Sequence, residues 1–507
     1  MDRSIQKIFQ RAVSDEYAGR TFFVFLALHV LMWSLVPGLT RHELDSDSMM
    51  HFAWGQEWQW SYSLHPPLVP WVVAGFLKIF GINNVSYVVL AQVNIALALT
   101  AIWFLARQFV SARVALTAVC LLEFVPYYSF LSQRFNHSAM LISLWALTTL
   151  FAYFALHRQR LSDWIVLGLL AVASMLCKYY SVTLLVAIGL VFVLTARGRA
   201  TWRTLGPYVA VALFTVAMAL HVQHVILNKV GTIEHIGDYF NFSSLAWRWP
   251  PVKFFLAQLV YALPAFIVFV LAIPDDQSQH RWYHLFKRVS WQESHSLIYM
   301  VTFFPLFATA VPGLLLGVDI SSRWGGPLLG MLGLLLIFQY PTHLSVVHCR
   351  RVVAGAFVWV VLLPVAILTA HGLGWVTDEA KAFPGKELAG TITKSWHTAH
   401  GTPLRLVAGG LVAPDSIAFH SPDHPSVLQH LNFKRSPWVE RAEIDEHGIA
   451  VVCLLTDTIC LEKGTKLFPG YHWIDLSVNG VGSRLAPVKA TAFRYIFVAP
   501  GVYGRAQ

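Results

Sequence analysis

Charge is what this chain has least of. Asp, Glu, Lys and Arg together make up 13% of its 507 residues, against 56% hydrophobic residues. A soluble domain carries about 25% charge, so a composition this poor in charge excludes an ordinary soluble protein and points to a membrane protein. Acidic residues are scarcer than basic ones, 27 against 37, which leaves a formal charge of +10. In a polytopic chain such an excess first means cytoplasmic anchoring loops. No basic run interleaved with stacking aromatics lies outside those loops, so nucleic acid is set aside as a partner. Five cysteines are too few for a disulfide framework. There is no internal repeat and no low-complexity segment. A small-residue cleavage site is also missing after the apolar run 21–39, which therefore reads as an uncleaved signal anchor.

What is abundant is apolar length. About 20 apolar residues cross about 30 Å of hydrocarbon, and such runs lie near 21–39, 86–106, 114–131, 138–156, 204–227, 254–273, 297–318, 326–348 and 352–374. The apolar stretch 163–196 is too long for one crossing; as a single helix it would extend about 51 Å. Basic residues decide its course. They cluster at Arg3/Lys7/Arg11/Arg20, Arg107/Arg113, Arg158/Arg160, Arg197/Arg199/Arg203, Arg281/Lys287/Arg288 and Arg350/Arg351. The positive-inside rule places all six groups on the cytoplasmic side. Arg158/Arg160 and Arg197/Arg199/Arg203 then share a side, so the stretch between them must cross twice and turn at Cys177-Lys178-Tyr179-Tyr180. The same reasoning turns 114–156 at Gln133-Arg134-Phe135-Asn136-His137. The expected fold is an α-helical polytopic membrane protein of about eleven spans, with the N-terminus inside and the C-terminus outside. After Trp375 hydropathy falls, so 376–507 reads as a soluble α/β or β-rich domain on the outer face, with strand-like runs at 449–455 and 493–498. The expected division is a membrane part, 1–375, with an outer loop at 41–85, and the domain 376–507. Cys453 and Cys460 either pair in an oxidising periplasm or stay as buried thiols.

On this topology the unusual polar groups all reach one surface. Asp45, Asp47 and His65 lie in the first outer loop, LDSDSMMHFAWGQEWQWSYSLHPPL. Arg134/Asn136/His137, Lys178/Tyr179/Tyr180, Lys229 to Lys253 with Arg248, and Asp319/Arg323 fall on the same side. Ionisable groups at helix mouths are costly and usually functional. Each also has a plainer reading. Asp45 and Asp47 suit a solvated loop pair, His65-Pro66-Pro67 suits a helix boundary, and Trp54, Trp58 and Trp60 suit an interfacial belt. Lys178, flanked by apolar residues on both sides, resists the plain reading most; snorkelling is its plain alternative. Taken together, the set suits one chemistry. A carboxylate at the boundary takes a proton from an attacking hydroxyl, cations hold a lipid phosphate and stabilise it as it leaves, and aromatic faces meet sugar rings.

The Asp…Ala-Trp-Gly…His-Pro-Pro-Leu pattern resembles membrane glycosyltransferases of the GT-C type. More closely it resembles the family of dolichyl-phosphate-mannose protein mannosyltransferases and lipid A aminoarabinose transferases. Arg134-Phe-Asn136-His137, Cys-Lys178-Tyr179 and Arg323-Trp-Gly-Gly-Pro continue the likeness over most of the membrane part. The tail past 375 carries no motif. Among bacterial branches the pattern is most like rhizobial lipopolysaccharide galacturonosyltransferases. The resemblance implies a polyprenyl-phosphate sugar donor, with galacturonic acid favoured, and a lipopolysaccharide core or lipid A acceptor. It also implies action at the periplasmic face of the bacterial inner membrane. Asp47 matches the family's catalytic acid, and Asp45 is its less regular neighbour. His65 would position a substrate, Lys178, Arg134 and Arg323 would hold the carrier phosphate, and Asn136, His137 and Tyr179 would contact substrate. Two departures weaken a carboxylate-rich metal site. Met50 stands where relatives often carry a second acid, and Leu64-His65 stands where the aminoarabinose branch has Glu-Lys. A divalent metal ion is left open as a cofactor. The alternatives are transfer of mannose or aminoarabinose to another lipid or protein, a lipid-linked sugar transporter or flippase, and an oligosaccharide polymerase or ligase.

Overall fold

The computed structural model describes residues 11–40, 43–227, 249–274, 295–316, 320–339, 344–373, 383–480 and 490–503. The sequence groups Lys229, Arg248 and Asp319, the basic groups Arg3/Lys7 and Arg281/Lys287/Arg288, and the boundary near 375 lie outside the described residues. Two compact units emerge. The first comprises residues 1–35, 91–222 and 236–365, and the second 36–90, 223–235 and 366–507.

Among the described residues, seven helices are long and apolar enough to cross a membrane. They are α1 (Ala18–Thr40), α4 (Asn84–Ala106), α6 (His137–Arg158), α9 (Gly206–Leu227), α10 (Trp249–Leu271), α11 (Ser296–Leu316) and α13 (Val346–Gly372). Shorter apolar helices in the first unit are α5 (Ala112–Leu122), α7 (Leu161–Cys177), α8 (Val182–Leu194) and α12 (Leu332–Gln339). In the first unit α6 is central, with 72% of its apolar window buried, whereas α9 buries only 17% and turns its apolar side chains outward. The apolar run 114–131 is not one helix. It stops at Leu122 and continues as two short 3-10 turns, Pro126–Tyr128 and Phe130–Gln133. Likewise, the run at 326–348 begins as a ten-residue 3-10 stretch, Ser322–Met331, ahead of α12.

The stretch 163–196 divides at Lys178, as charge and length require. Trp164 near the start of α7 packs 4.9 Å from Phe192 near the end of α8, so the two helices run back along each other. No proline or glycine causes the break. Ser181 makes it tolerable: its Oγ donates to the Ser174 carbonyl at 2.8 Å and accepts from Trp145 Nε1 at 3.2 Å. In hydrocarbon an unsatisfied carbonyl costs several kcal/mol; the Ser174 carbonyl takes both the last helical amide, from Lys178 at 3.0 Å, and the Ser181 hydroxyl. Glu123, just beyond α5, is held in the same way. His29 Nδ1 bonds its Oε2 at 2.7 Å and Trp33 Nε1 donates to Oε1 at 3.0 Å, all three being fully buried.

The second unit is built on a five-stranded sheet. The strands are β1 (Leu406–Gly409), β2 (Ser426–Gln429), β3 (Ile449–Leu454), β4 (Ile474–Asn479) and β5 (Ala490–Val498). Their order is β2-β1-β3-β5-β4, parallel over the first three and antiparallel at β5 and β4. The strand-like runs at 449–455 and 493–498 are β3 and part of β5. Side chains alternate between two cores, as a period of two dictates. Leu406 and Ala408 join Leu428, Val451 and Ile496 on one face, while Val407 joins Val427, Ala450 and Val452 on the other. The latter face is covered by α14 (Gly385–His400) through Leu388, Ile392 and Trp396, and by α15 (Ala413–His420) through Ile417 and Ala418. Cys453 and Cys460 form a disulfide, with Cα atoms 5.8 Å apart, that ties β3 to α16 (Thr458–Leu467). Of the two readings of these cysteines, the paired one holds.

Two further helices belong to this unit, α2 (Ser46–Gln56) and α3 (Leu68–Phe80). Ala53 of α2 is part of the buried core beneath α14 and α15. A side chain at Gly55 would collide with the Pro70 carbonyl and the Ala74 methyl, so glycine is what allows α2 and α3 to touch. Gly55→Ala should therefore lower the melting temperature, by about 1–3 kcal/mol of overpacking cost. Helix propensity alone would predict the opposite sign, since alanine is favoured over glycine by about 1 kcal/mol. Thermal unfolding followed by intrinsic fluorescence distinguishes the two.

Candidate active site

The carboxylates singled out from the sequence sit at the start of α2. Asp45 is its N-cap: Oδ1 accepts from the Ser48 amide at 3.3 Å and Oδ2 from Ser48 Oγ at 2.9 Å. This is the ordinary duty of an N-cap aspartate. Asp47, one position inside the helix, is half-buried and is the acid in the first turn. Tyr87, fully buried in the same unit, hydrogen-bonds Ser48 and lies within electrostatic reach of both carboxylates. Nothing in the sequence had marked it. His65 is half-buried in the bend before α3, and its carbonyl accepts from the Tyr62 amide at 3.1 Å. Pro66 and Pro67 lead into α3, with Pro67 at its N-cap position.

The expected aromatic belt is only partly present. Trp58 and Trp60 are exposed, but Trp54 is fully buried, which corrects its reading as an interfacial residue. Its ring stacks on Tyr62 at 4.9 Å, and its Nε1 donates to Gln429 Oε1 at 2.7 Å. Gln429 Nε2 in turn donates to Asp415 Oδ1 at 3.1 Å. A tryptophan with a specific partner for its N–H gains more from a core than from an interface.

The other candidates lie in the first unit. Asn136 caps α6, its Oδ1 accepting from the amides of Ser138 at 3.1 Å and Ala139 at 3.0 Å. His137 is buried, and its carbonyl accepts from Cys177 Sγ at 3.3 Å. Lys178 occupies the break between α7 and α8 in an extended conformation. Its Nζ donates to Ser138 Oγ at 3.0 Å and sits 4.4 Å from the centroid of the Trp324 ring. Tyr180 stacks on Trp145 at 5.5 Å, lies 5.6 Å from Trp324, and hydrogen-bonds Thr309 at 2.9 Å. Tyr179 pairs with His221 Nε2 at 2.8 Å. The start of α6, the break at Lys178 and the 3-10 run at Trp324 therefore meet, three segments well separated in sequence.

Arg134 and Arg323 are placed differently. Arg134 is half-buried on extended backbone just before α6. Arg323 is exposed, with Tyr127 within its electrostatic reach. The segment carrying Arg323 is firmly held, because the Ser322 carbonyl accepts from Tyr127 Oη at 2.7 Å and from Gln258 Nε2 at 3.0 Å. Ser138, Trp145, His221 and Trp324 complete this neighbourhood. Only Trp324 had a sequence signal, as a member of the Arg-Trp-Gly-Gly-Pro run. Among the described residues, no three His, Cys, Asp or Glu side chains gather as a metal-holding group.

The arrangement has the fold of the GT-C membrane glycosyltransferases. Over 93% of this chain and 97% of the other, it is similar to the crystal structure of ArnT from Cupriavidus metallidurans bound to undecaprenyl phosphate, with a TM-score of 0.59 at 12% identity. The apo structure of the same ArnT is similar over the same shares, with a TM-score of 0.50 at 14% identity. A family model described as dolichyl-phosphate-mannose-protein mannosyltransferase matches residues 64–224, a segment that holds His65, Arg134, Asn136, His137, Lys178 and Tyr179. No curated protein sequence matches the chain.

Two acids of the second unit titrate in an unusual range. Burial raises Asp415 from 3.8 to about 7, against the opposing hydrogen bond from Gln429. Burial also raises Glu57 from 4.5 to about 7, with a hydrogen bond from Ser426 opposing it and repulsion from Glu443 adding to it. Both folded values lie above the unfolded ones, so the native state keeps protons that the unfolded chain loses. Their contribution to stability should therefore be complete below about pH 4, fall as the pH rises through about 7, and level off beyond. Melting temperatures measured between pH 5 and 8 should decline, and Asp415→Asn should flatten that slope.

Proposed function

We propose that this protein transfers a sugar from a polyprenyl-phosphate carrier to a hydroxyl acceptor at the membrane surface. The favoured pair is galacturonic acid and lipopolysaccharide core or lipid A, at the periplasmic face of the inner membrane. One observation carries the reading: a lysine placed at a break between two apolar helices, with the Ser138 hydroxyl and the Trp324 ring beside its ammonium. An ionisable group between apolar helices usually marks a substrate or ion path, and the phosphate at the head of a lipid carrier is an anion suited to an ammonium placed there. The fold, shared with an ArnT crystallised with undecaprenyl phosphate, and the mannosyltransferase family model both support the donor class.

The step is a single displacement at the anomeric carbon. The acceptor oxygen forms a bond to C1 as the C1–O bond to the carrier phosphate breaks, and the phosphate leaves with the electron pair. Asp47 takes the acceptor hydroxyl proton. Lys178, with Arg134 and Arg323, neutralises the departing phosphate, and His65, Asp45, Asn136, His137 and Tyr179 orient the substrates. An in-line course inverts the configuration at C1.

Undecaprenyl-phosphate-linked galacturonic acid, aminoarabinose and mannose, each offered to the purified protein with lipid A, separate the donor choices. Mass spectrometry of lipid A and core from cells with and without the gene identifies the product. Asp47→Asn should lower kcat by about 10²-fold or more, the range for loss of a general base, with the donor KM little changed. Lys178→Met should raise the donor KM by about 10-fold or more, from loss of a charged hydrogen bond worth about 1.5–3 kcal/mol. An Asp47→Asn protein with wild-type turnover removes Asp47 from this role.

A further inference from the structure

The helix that carries Asp47 is attached at both ends to the α/β domain by buried polar contacts. Ahead of α2, Glu43 is 2% exposed, and its Oε1 is 2.8 Å from His420 Nε2 at the end of α15. The same oxygen accepts the Leu44 amide at 3.0 Å. The first turn of α14 faces Glu43 as well: a side chain at Gly385 would overlap Glu43 Oε2. At the far end of α2, Trp54 Nε1 is tied through Gln429 to Asp415 on α15. Between these ends, Ser416 Oγ donates to Met49 Sδ at 3.1 Å.

A buried carboxylate is expensive, and losing its partner costs several kcal/mol. Two residues before the N-cap of an eleven-residue helix, a solvated residue would serve chain connectivity equally well. A buried, paired one instead sets where the helix begins. We infer that the Glu43–His420 pair is a positioning device that holds the Asp47 helix in register on the α/β domain, which makes His420 a positioning residue for sugar transfer. The inference rests on the reading of Asp47 as the base. It assigns the C-terminal domain a part in turnover. A misplacement of about 1 Å at a reacting group can cost on the order of 10²-fold, and donor binding by the cations need not change with it.

The contact is made through Nε2, and this supplies the test. A glutamine amide nitrogen reaches the place of Nε2, whereas that of asparagine stops near Nδ1. In the full-length protein, with undecaprenyl-phosphate-linked galacturonic acid and lipid A as substrates, His420→Asn should lower kcat at least 10-fold while leaving the donor KM within about 2-fold. His420→Gln should keep kcat within about 3-fold of wild type. Hydrogen exchange without substrates should show faster exchange of the 46–56 amides in His420→Asn only. Equal turnover in the two variants, or unchanged exchange over 46–56 in His420→Asn, overturns the inference. Since exchange is read without chemistry, a wild-type protein that transfers no sugar counts against the functional reading, while the exchange comparison still decides the clamp.

Discussion

An ammonium group between two apolar helices has to be met by something, and much of the first unit follows from that requirement. Lys178 forces α7 to end, and the ends so created must have their backbone groups satisfied. The Lys178 amide and the Ser181 hydroxyl both donate to the Ser174 carbonyl, Trp145 holds that hydroxyl, and Ser138 and Trp324 supply the surroundings of Nζ. These side chains draw the start of α6 and the 3-10 run at 322–331 to the break. The run is itself anchored by two donors on the Ser322 carbonyl. One misfit residue thus accounts for an aromatic and hydroxyl neighbourhood that no local pattern announces.

The second unit is ruled by a different constraint, the cost of burying carboxylates. Glu43, Glu57 and Asp415 are all withdrawn from water, and each is handled in its own way. Glu43 takes an imidazole partner, while Asp415 and Glu57 are raised toward neutrality by burial, each with one hydrogen bond from a neighbour. Asp45 and Asp47 stay partly accessible at the mouth of α2. Acids of one chemical type are thereby sorted into braces and accessible groups by their surroundings alone. The outcome is a short helix whose first-turn acid, Asp47, stays partly accessible while its body is locked into the α/β core through Ala53 and Trp54.

Much of the architecture was legible because it depends on quantities that add along the chain. Length against bilayer thickness, together with the distribution of Lys and Arg, required a turn at Lys178, and the chain turns there. Strand-like runs located β3 and part of β5. Glu123 escaped notice inside an apolar window because hydropathy averages over it; its partners His29 and Trp33 lie some 90 positions away. Trp54 was misread because composition cannot tell a tryptophan at an interface from one whose N–H meets Gln429 across 375 positions. Tyr87, Ser138 and His221 carry no motif, and only proximity gives them meaning.

The sequence by itself determined the membrane class, the break at Lys178, the soluble α/β tail and the short roster of polar groups worth following, since each rests on local composition or spacing. Tertiary structure alone decided which residues are neighbours. It made Asp45 a cap, turned Trp54 inward, joined Cys453 to Cys460, and set Glu43 against His420. The physical reason is that hydrogen bonds and ion pairs act over about 3 Å, a distance that separation along the chain does not encode.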